Sequence, residues 1–256
     1  MENLETITYT WMFIFLIVGL IAGYIDSIAG GGGMIQIPVL LLTGISPIIV
    51  LASNKIAGMF GTIVASIKYA KSKKINYNIV KIAIIPCLIA SYIGTLLVMY
   101  ISDEFIQWMI LASIPVALIF LLKKSKSKEI DNSDIGTAKI ILATAPIGFY
   151  DGLIGPGTGT YMTIAMKKYL NIDYLIATAS TKPLNFATNI GSAIAFLLAG
   201  KVMWAIAIPL AIGNSTGSYI GSHYAIKNGE DFIKKVLLFI LFFMLLANII
   251  KLVFFS

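Results

Sequence analysis

IAGYIDSIAGGGGMIQIP, residues 21–38, places an acidic side chain, Asp26, beside an apolar run, follows it with four glycines, and resumes as apolar sequence from Met34. The run before this stretch, about 7–25, is long enough to cross hydrocarbon, which takes about 20 residues at 1.5 Å each; the run after it, 34–44, is too short. A second long-plus-short pair occurs at 138–154 and 159–170, separated by Gly155-Pro156-Gly157-Thr158-Gly159. Each pair reads as a broken or re-entrant helical element, because irregular backbone at membrane depth survives only where protein or a wet cavity satisfies it.

Working outward, further apolar runs lie at 48–70, 78–100, 105–122, 174–199, 203–225 and 232–255. With 58% hydrophobic residues, 12% charged and a mean hydropathy of +0.91, 256 residues cannot bury their apolar surface in a water-soluble globule. The expected fold is an all-α polytopic membrane bundle. Its opening residues carry Glu2 and Glu5 where a secretory signal would be basic, so the first run should be retained as a span. Cys87, the single cysteine, excludes an internal disulfide and a multi-cysteine metal site; it reads as a core thiol. No metal or cofactor is expected.

All 19 basic residues are lysine, and most cluster beside span ends, which is a topology signal and not a nucleic-acid footprint. Lys68, Lys71, Lys73, Lys74 and Lys81 surround one loop and Lys123, Lys124, Lys126 and Lys128 open another, with Asp103 and Glu104 at the turn between them. Both lysine loops should be cytoplasmic. The polar stretch 124–136 divides one integrated membrane domain into halves, 1–123 and 137–256.

Those halves resemble each other. An offset of 127 carries Ala52, Ser53 and Lys55 onto Ala179, Ser180 and Lys182, and Ser91-Tyr92-Ile93-Gly94 onto Ser218-Tyr219-Ile220-Gly221. With a two-residue slip, Asp26 falls on Asp151. A fixed offset serving separate regions marks an internal repeat. In duplicated carriers with interrupted helices the substrate site lies at the repeat interface near the midplane.

Of the 19 basic and 12 acidic residues almost all lie in loops or within a turn or two of a span end; the exceptions, Asp26, Lys55, Asp151 and Lys182, all belong to the duplicated motif. Lys55 lies about 13 Å along its helix from the turn at Gly44, at 1.5 Å per residue. A lysine at such depth costs several kcal/mol unless paired or wetted. Two readings stay open: the aspartates neutralise the lysines as structural ion pairs, or the lysines hold a bound anion, with Asp26 and Asp151 as counter-ions or proton carriers. The glycine breaks favour an anion, because helix starts aim free amides at one spot and glycine admits a close ligand; Gly31, Gly32, Gly33, Gly157 and Gly159 are the candidates. Thr158, Asn54, Thr181, Asn185 and Asn189 would add polar contacts. Close helix packing is the alternative use of these glycines.

Gly213-Asn214-Ser215-Thr216-Gly217 matches a serine-nucleophile pattern, with His223 eight residues beyond Ser215. On one helix that offset is about 12 Å, outside hydrogen-bond reach. Gly213, Gly217 and Gly221 read better as a packing face, and no enzyme is expected.

The stretch 21–38, followed by Ala52-Ser53-Asn54-Lys55, resembles the signature of the TauE/SafE sulfite exporter family, and the likeness extends over both halves. The second half departs from it, with Pro156 among the glycines and Thr181 at the place of Asn54. The resemblance implies seven or eight spans from a duplicated unit and a secondary carrier of sulfite, sulfonates or related sulfur oxyanions. The expected partners are a small anion, the lipid of the cytoplasmic membrane, and a coupling proton or sodium ion; no nucleotide-binding motif points to another energy source. A passive anion channel and a non-transporting assembly subunit are the alternatives.

Overall fold

The computed structural model describes residues 9–122 and 136–254, so the lysines that open the connector lie outside the described residues. These residues form α1 (Tyr9–Ala29), α2 (Gly32–Leu41), α3 (Pro47–Lys71), α4 (Tyr77–Val98), α5 (Asp103–Leu122), α6 (Thr137–Leu153), α7 (Thr158–Leu170), α8 (Tyr174–Leu198) and α9 (Trp204–Phe254), with no strand among them. Within α9, Gly229 (φ 72°, ψ −159°) breaks the helical path, dividing it where the sequence separates two apolar runs. Among the described residues three helices, α1, α3 and α4, are each long and apolar enough to cross a bilayer.

Small residues set the helix directions. Backbone meets backbone where Gly19 faces Leu210, Gly23 faces Asn214 and Gly221 faces Tyr24, so α1 and the first part of α9 run side by side in the same sense. Gly213 and Gly217, facing Leu16 and Leu20, complete this seam, with a glycine on α9 every fourth residue. The same device joins α6 to α4, where Gly148 meets Cys87 and Gly152 meets Ser91. Helix α3 runs with α1: Val50 shares a cluster with Phe15, and the Tyr69 hydroxyl donates to Ser27 O at 2.9 Å. Helix α8 runs against α3, with Ile56 beside Ala193 in one cluster, Leu51 with Phe196 in another, and Tyr69 with Ala179 in a third. Thus α1, α3 and the start of α9 point one way and α4, α6 and α8 the other. The leading helix of each half packs chiefly on the other half, α1 on α9 and α6 on α4.

Helix α1 runs past Asp26 to Ala29, so the carboxylate does not sit at the exit of a completed span. The chain then doubles back: Gly32 lies against Ala22 and Asp26, and Ile37 and Leu40 join the cluster that holds Phe15. The irregular residues here are Gly30 and Gly31 alone; Gly32 and Gly33, expected to belong to the break, form the first turn of α2.

Candidate functional site

Glycine geometry creates both breaks. Gly30 (φ 79°) ends α1 in the left-handed conformation, donating its N–H to Asp26 O at 2.7 Å. Gly155 (φ 81°) and Gly157 (φ 79°) flank Pro156 and turn the chain sharply between α6 and α7. The two breaks touch. Thr160 donates its N–H to Gly30 O at 3.2 Å and its hydroxyl to Ala29 O at 2.8 Å. The carbonyls of Ala29 and Gly30, at and just past the end of α1, are therefore satisfied by the first turn of α7.

All four charges of the duplicated motif converge around this crossing. Lys55 Nζ lies 2.6 Å from Asp151 Oδ1, with side-chain exposures of 1% and 6%. Lys182 Nζ lies 3.4 Å from Asp26 Oδ2 and also donates to the Asp26 backbone carbonyl; the side-chain exposures are 0% and 17%. Each pair joins one half to the other. The Thr158 hydroxyl donates to Asp151 Oδ1 at 2.7 Å, and Gly32 N–H donates to Asp26 Oδ1 at 3.3 Å. Each carboxylate thus rests between a lysine of the opposite half and the start of a short helix. Of the two readings of these charges, the ion pairs are what the structure displays.

Between the pairs lies a polar cavity of about 40 Å³, room for about three water molecules. Of the residues singled out in the sequence, Asp26, Gly32, Gly33, Asn54, Asp151, Thr158, Gly159, Asn185 and Asn189 line it. Five expected residues do not. Lys55 and Lys182 lie behind the carboxylates they neutralise. Gly31 and Gly157 are also absent from the lining, and Gly157 packs against the Met34 methyl group. Thr181 faces α7, its hydroxyl 3.4 Å from Thr163 Oγ1 and 3.8 Å from Met166 S. Among the described residues no three His, Cys, Asp or Glu side chains converge as metal ligands.

The lining also contains residues outside the candidate set: Gly30 and Gly155 from the two breaks, and Gly58, Thr62 and Asn214, which the sequence reading did not connect with the site. Asn214 Nδ2 donates to Gln36 Oε1 at 3.2 Å, so α2 and α9 carry a buried amide pair. A signal was available, since Gln36 and Asn214 are polar residues inside apolar runs; Asn214 was absorbed into a glycine packing motif. At the offset of 127, Asn185, Asn189 and Asn214 correspond to Gly58, Thr62 and Cys87. Three of the four lining carboxamides therefore come from the second half.

A helical membrane bundle whose two halves meet around a polar cavity has the construction of a membrane transporter. The chain belongs to the family described as Sulfite exporter TauE/SafE, which it matches over residues 15–248. It is similar to the probable membrane transporter protein ORF9 of Sinorhizobium sp, at 33% identity over 239 residues covering 93% of this chain and 92% of that one. Against the probable membrane transporter protein YfcA of Escherichia coli (strain K12), identity is 33% over 225 residues, 87% of this chain and 84% of the relative. The chain is also similar to the probable membrane transporter protein MJ0441 of Methanocaldococcus jannaschii, at 26% identity over 212 residues, 77% of this chain and 78% of that one. No solved structure matches.

Proposed function

We propose that this chain is a secondary transporter of the cytoplasmic membrane that moves a small sulfur oxyanion, sulfite or a sulfonate, by alternating access. The observation that carries this reading is the pair of lysine–aspartate contacts crossing between the halves around a polar cavity. Each aspartate in that arrangement is a stand-in for an anion. A substrate oxyanion would take the place of a carboxylate, gaining a lysine ammonium, a helix-start amide or hydroxyl, and the carboxamides of Asn54, Asn185 and Asn189. The opposed helix directions support an inverted repeat, a construction in which one half rocks against the other about a fixed central site. The family match directs the choice of anion to sulfur oxyanions.

The test is counterflow in proteoliposomes holding the full chain, loaded with unlabelled sulfite, sulfate, thiosulfate or methanesulfonate and presented with the same labelled anion outside. A carrier gives saturable uptake stimulated by the internal anion. Linear, unstimulated flux identifies a pore, and no flux of any of the four overturns the transport reading for this anion class.

A further inference from the structure

The two ion pairs occupy corresponding places in the two halves, yet they are built differently. Lys55–Asp151 is tight: 2.6 Å apart, almost fully buried, with Asp151 held again by the Thr158 hydroxyl at 2.7 Å. Thr158 in turn has Gly155 O within 2.8 Å, so this carboxylate is tied into the turn that begins α7. Lys182–Asp26 is loose. Its ammonium favours the backbone carbonyl of Asp26 and leaves the side chain at 3.4 Å, and among the described residues the one further donor to that carboxylate is the Gly32 amide at 3.3 Å. The Asp26 side chain is also the more exposed to the cavity, 17% against 6%. The helices differ as well: Pro183 follows Lys182 inside α8, removing one backbone donor beside the lysine, whereas Ile56 follows Lys55 in α3.

From this asymmetry we infer that the pairs divide the work, and that Lys182–Asp26 alone opens to admit the anion while Lys55–Asp151–Thr158 remains closed as a strut between the halves. The inference rests on the carrier reading above and adds its coupling ion. An anion taking the Lys182 ammonium and the Gly32 amide displaces the Asp26 carboxylate into the cavity. Placing a second negative charge there is unfavourable, so Asp26 accepts a proton from cavity water and the site keeps its net charge. When the anion leaves on the other side, Asp26 returns the proton to the water of that side and closes on Lys182 again. One anion and one proton cross together. The charged and titratable groups that bear on Asp26 are Lys182 from α8, Lys55 and Tyr69 from α3, and Asp151 from α6 across the cavity. From α9, α7 and α2 come Asn214, Thr158 and Gly33, none of which titrates near neutrality.

The experiment uses the full chain in proteoliposomes and whichever of sulfite, sulfate, thiosulfate or methanesulfonate exchanges. For the wild type, an external medium about one pH unit more acid should drive about tenfold accumulation of a monovalent anion, the ratio that follows from one proton per anion. Asp26→Asn should abolish accumulation driven by the pH gradient, and Asp26→Glu should restore it. Asp151→Asn should lose exchange and accumulation together and melt at a lower temperature in detergent. Accumulation by Asp26→Asn equal to wild type, a sodium gradient driving uptake where the pH gradient does not, or uncoupling by a well-folded Asp151→Asn would each overturn the assignment. Should Asp26→Asn fail to fold, the Glu variant decides alone: a displaced pH profile supports the role of Asp26, and an unchanged one refutes it. Absence of exchange by the wild type would instead remove the carrier reading itself, and this inference with it.

Discussion

Gly159→Ala should lower the stability of the protein by about 2–4 kcal/mol. A Cβ at residue 159 would lie 2.5 Å from Gly30 Cα, 2.8 Å from Asn185 Nδ2 and 3.0 Å from Gly30 O. Two of these neighbours are backbone atoms of a tight left-handed turn, so the strain cannot be relieved by rotating a side chain. Overpacking of this kind costs about 1–3 kcal/mol. Separating the breaks also endangers the hydrogen bond from Thr160 N–H to Gly30 O, a loss of about 1 kcal/mol more. The measurement is reversible unfolding of the full chain in detergent micelles, with Gly136→Ala as control because a Cβ there meets nothing within 4 Å. A Gly159→Ala protein within about 0.5 kcal/mol of both wild type and control, the range of ordinary surface substitutions, would mean that the two breaks do not touch.

The buried strut gives a second expectation: Lys55→Met strands Asp151 and should cost about 3–5 kcal/mol, whereas Lys55→Met with Asp151→Leu should recover most of it, as a double-mutant cycle would report. Lys182→Gln should abolish anion flux while a folded protein is still recovered in detergent; undiminished counterflow would transfer the anion's charge partner to Lys55 or to the helix-start amides. Cys87, with no exposed surface and the α6 glycine at residue 148 packed against it, should resist a membrane-permeant maleimide until the protein is unfolded. Rapid labelling of the native protein would contradict the α4–α6 contact.

Much of the fold was legible because membrane helices are written in one variable. Apolar runs bounded by lysine, glycine and proline coincide with the helices to within a few residues, and the offset of 127 carries the first residue of α3, Pro47, to that of α8, Tyr174, and that of α4, Tyr77, to that of α9, Trp204. The four charges were legible for the same reason, since an ionised side chain in an apolar run needs a partner. Which partner it takes is a tertiary property. Nothing local to Lys55 indicates that Asp151, rather than Asp26, will neutralise it. Thr181 illustrates a second limit: it neighbours Lys182 in sequence, but successive side chains on a helix diverge by about 100°, so one faces α1 and the other α7. Gln36 and Asn214 stayed hidden because their value lies in meeting each other across two helices.

An anion that binds between the halves, in a pocket opening to each side of the membrane in turn, requires that pocket to be reachable from both faces. Asn54→Cys in a Cys87→Ala background places a thiol on that cavity and nowhere else in the chain. A water-soluble methanethiosulfonate reagent should reach it from either face of sealed, oriented vesicles, and saturating sulfite or methanesulfonate should protect it from both. Labelling confined to one face, or labelling that no sulfur oxyanion slows, would exclude alternating access to an anion site at this cavity.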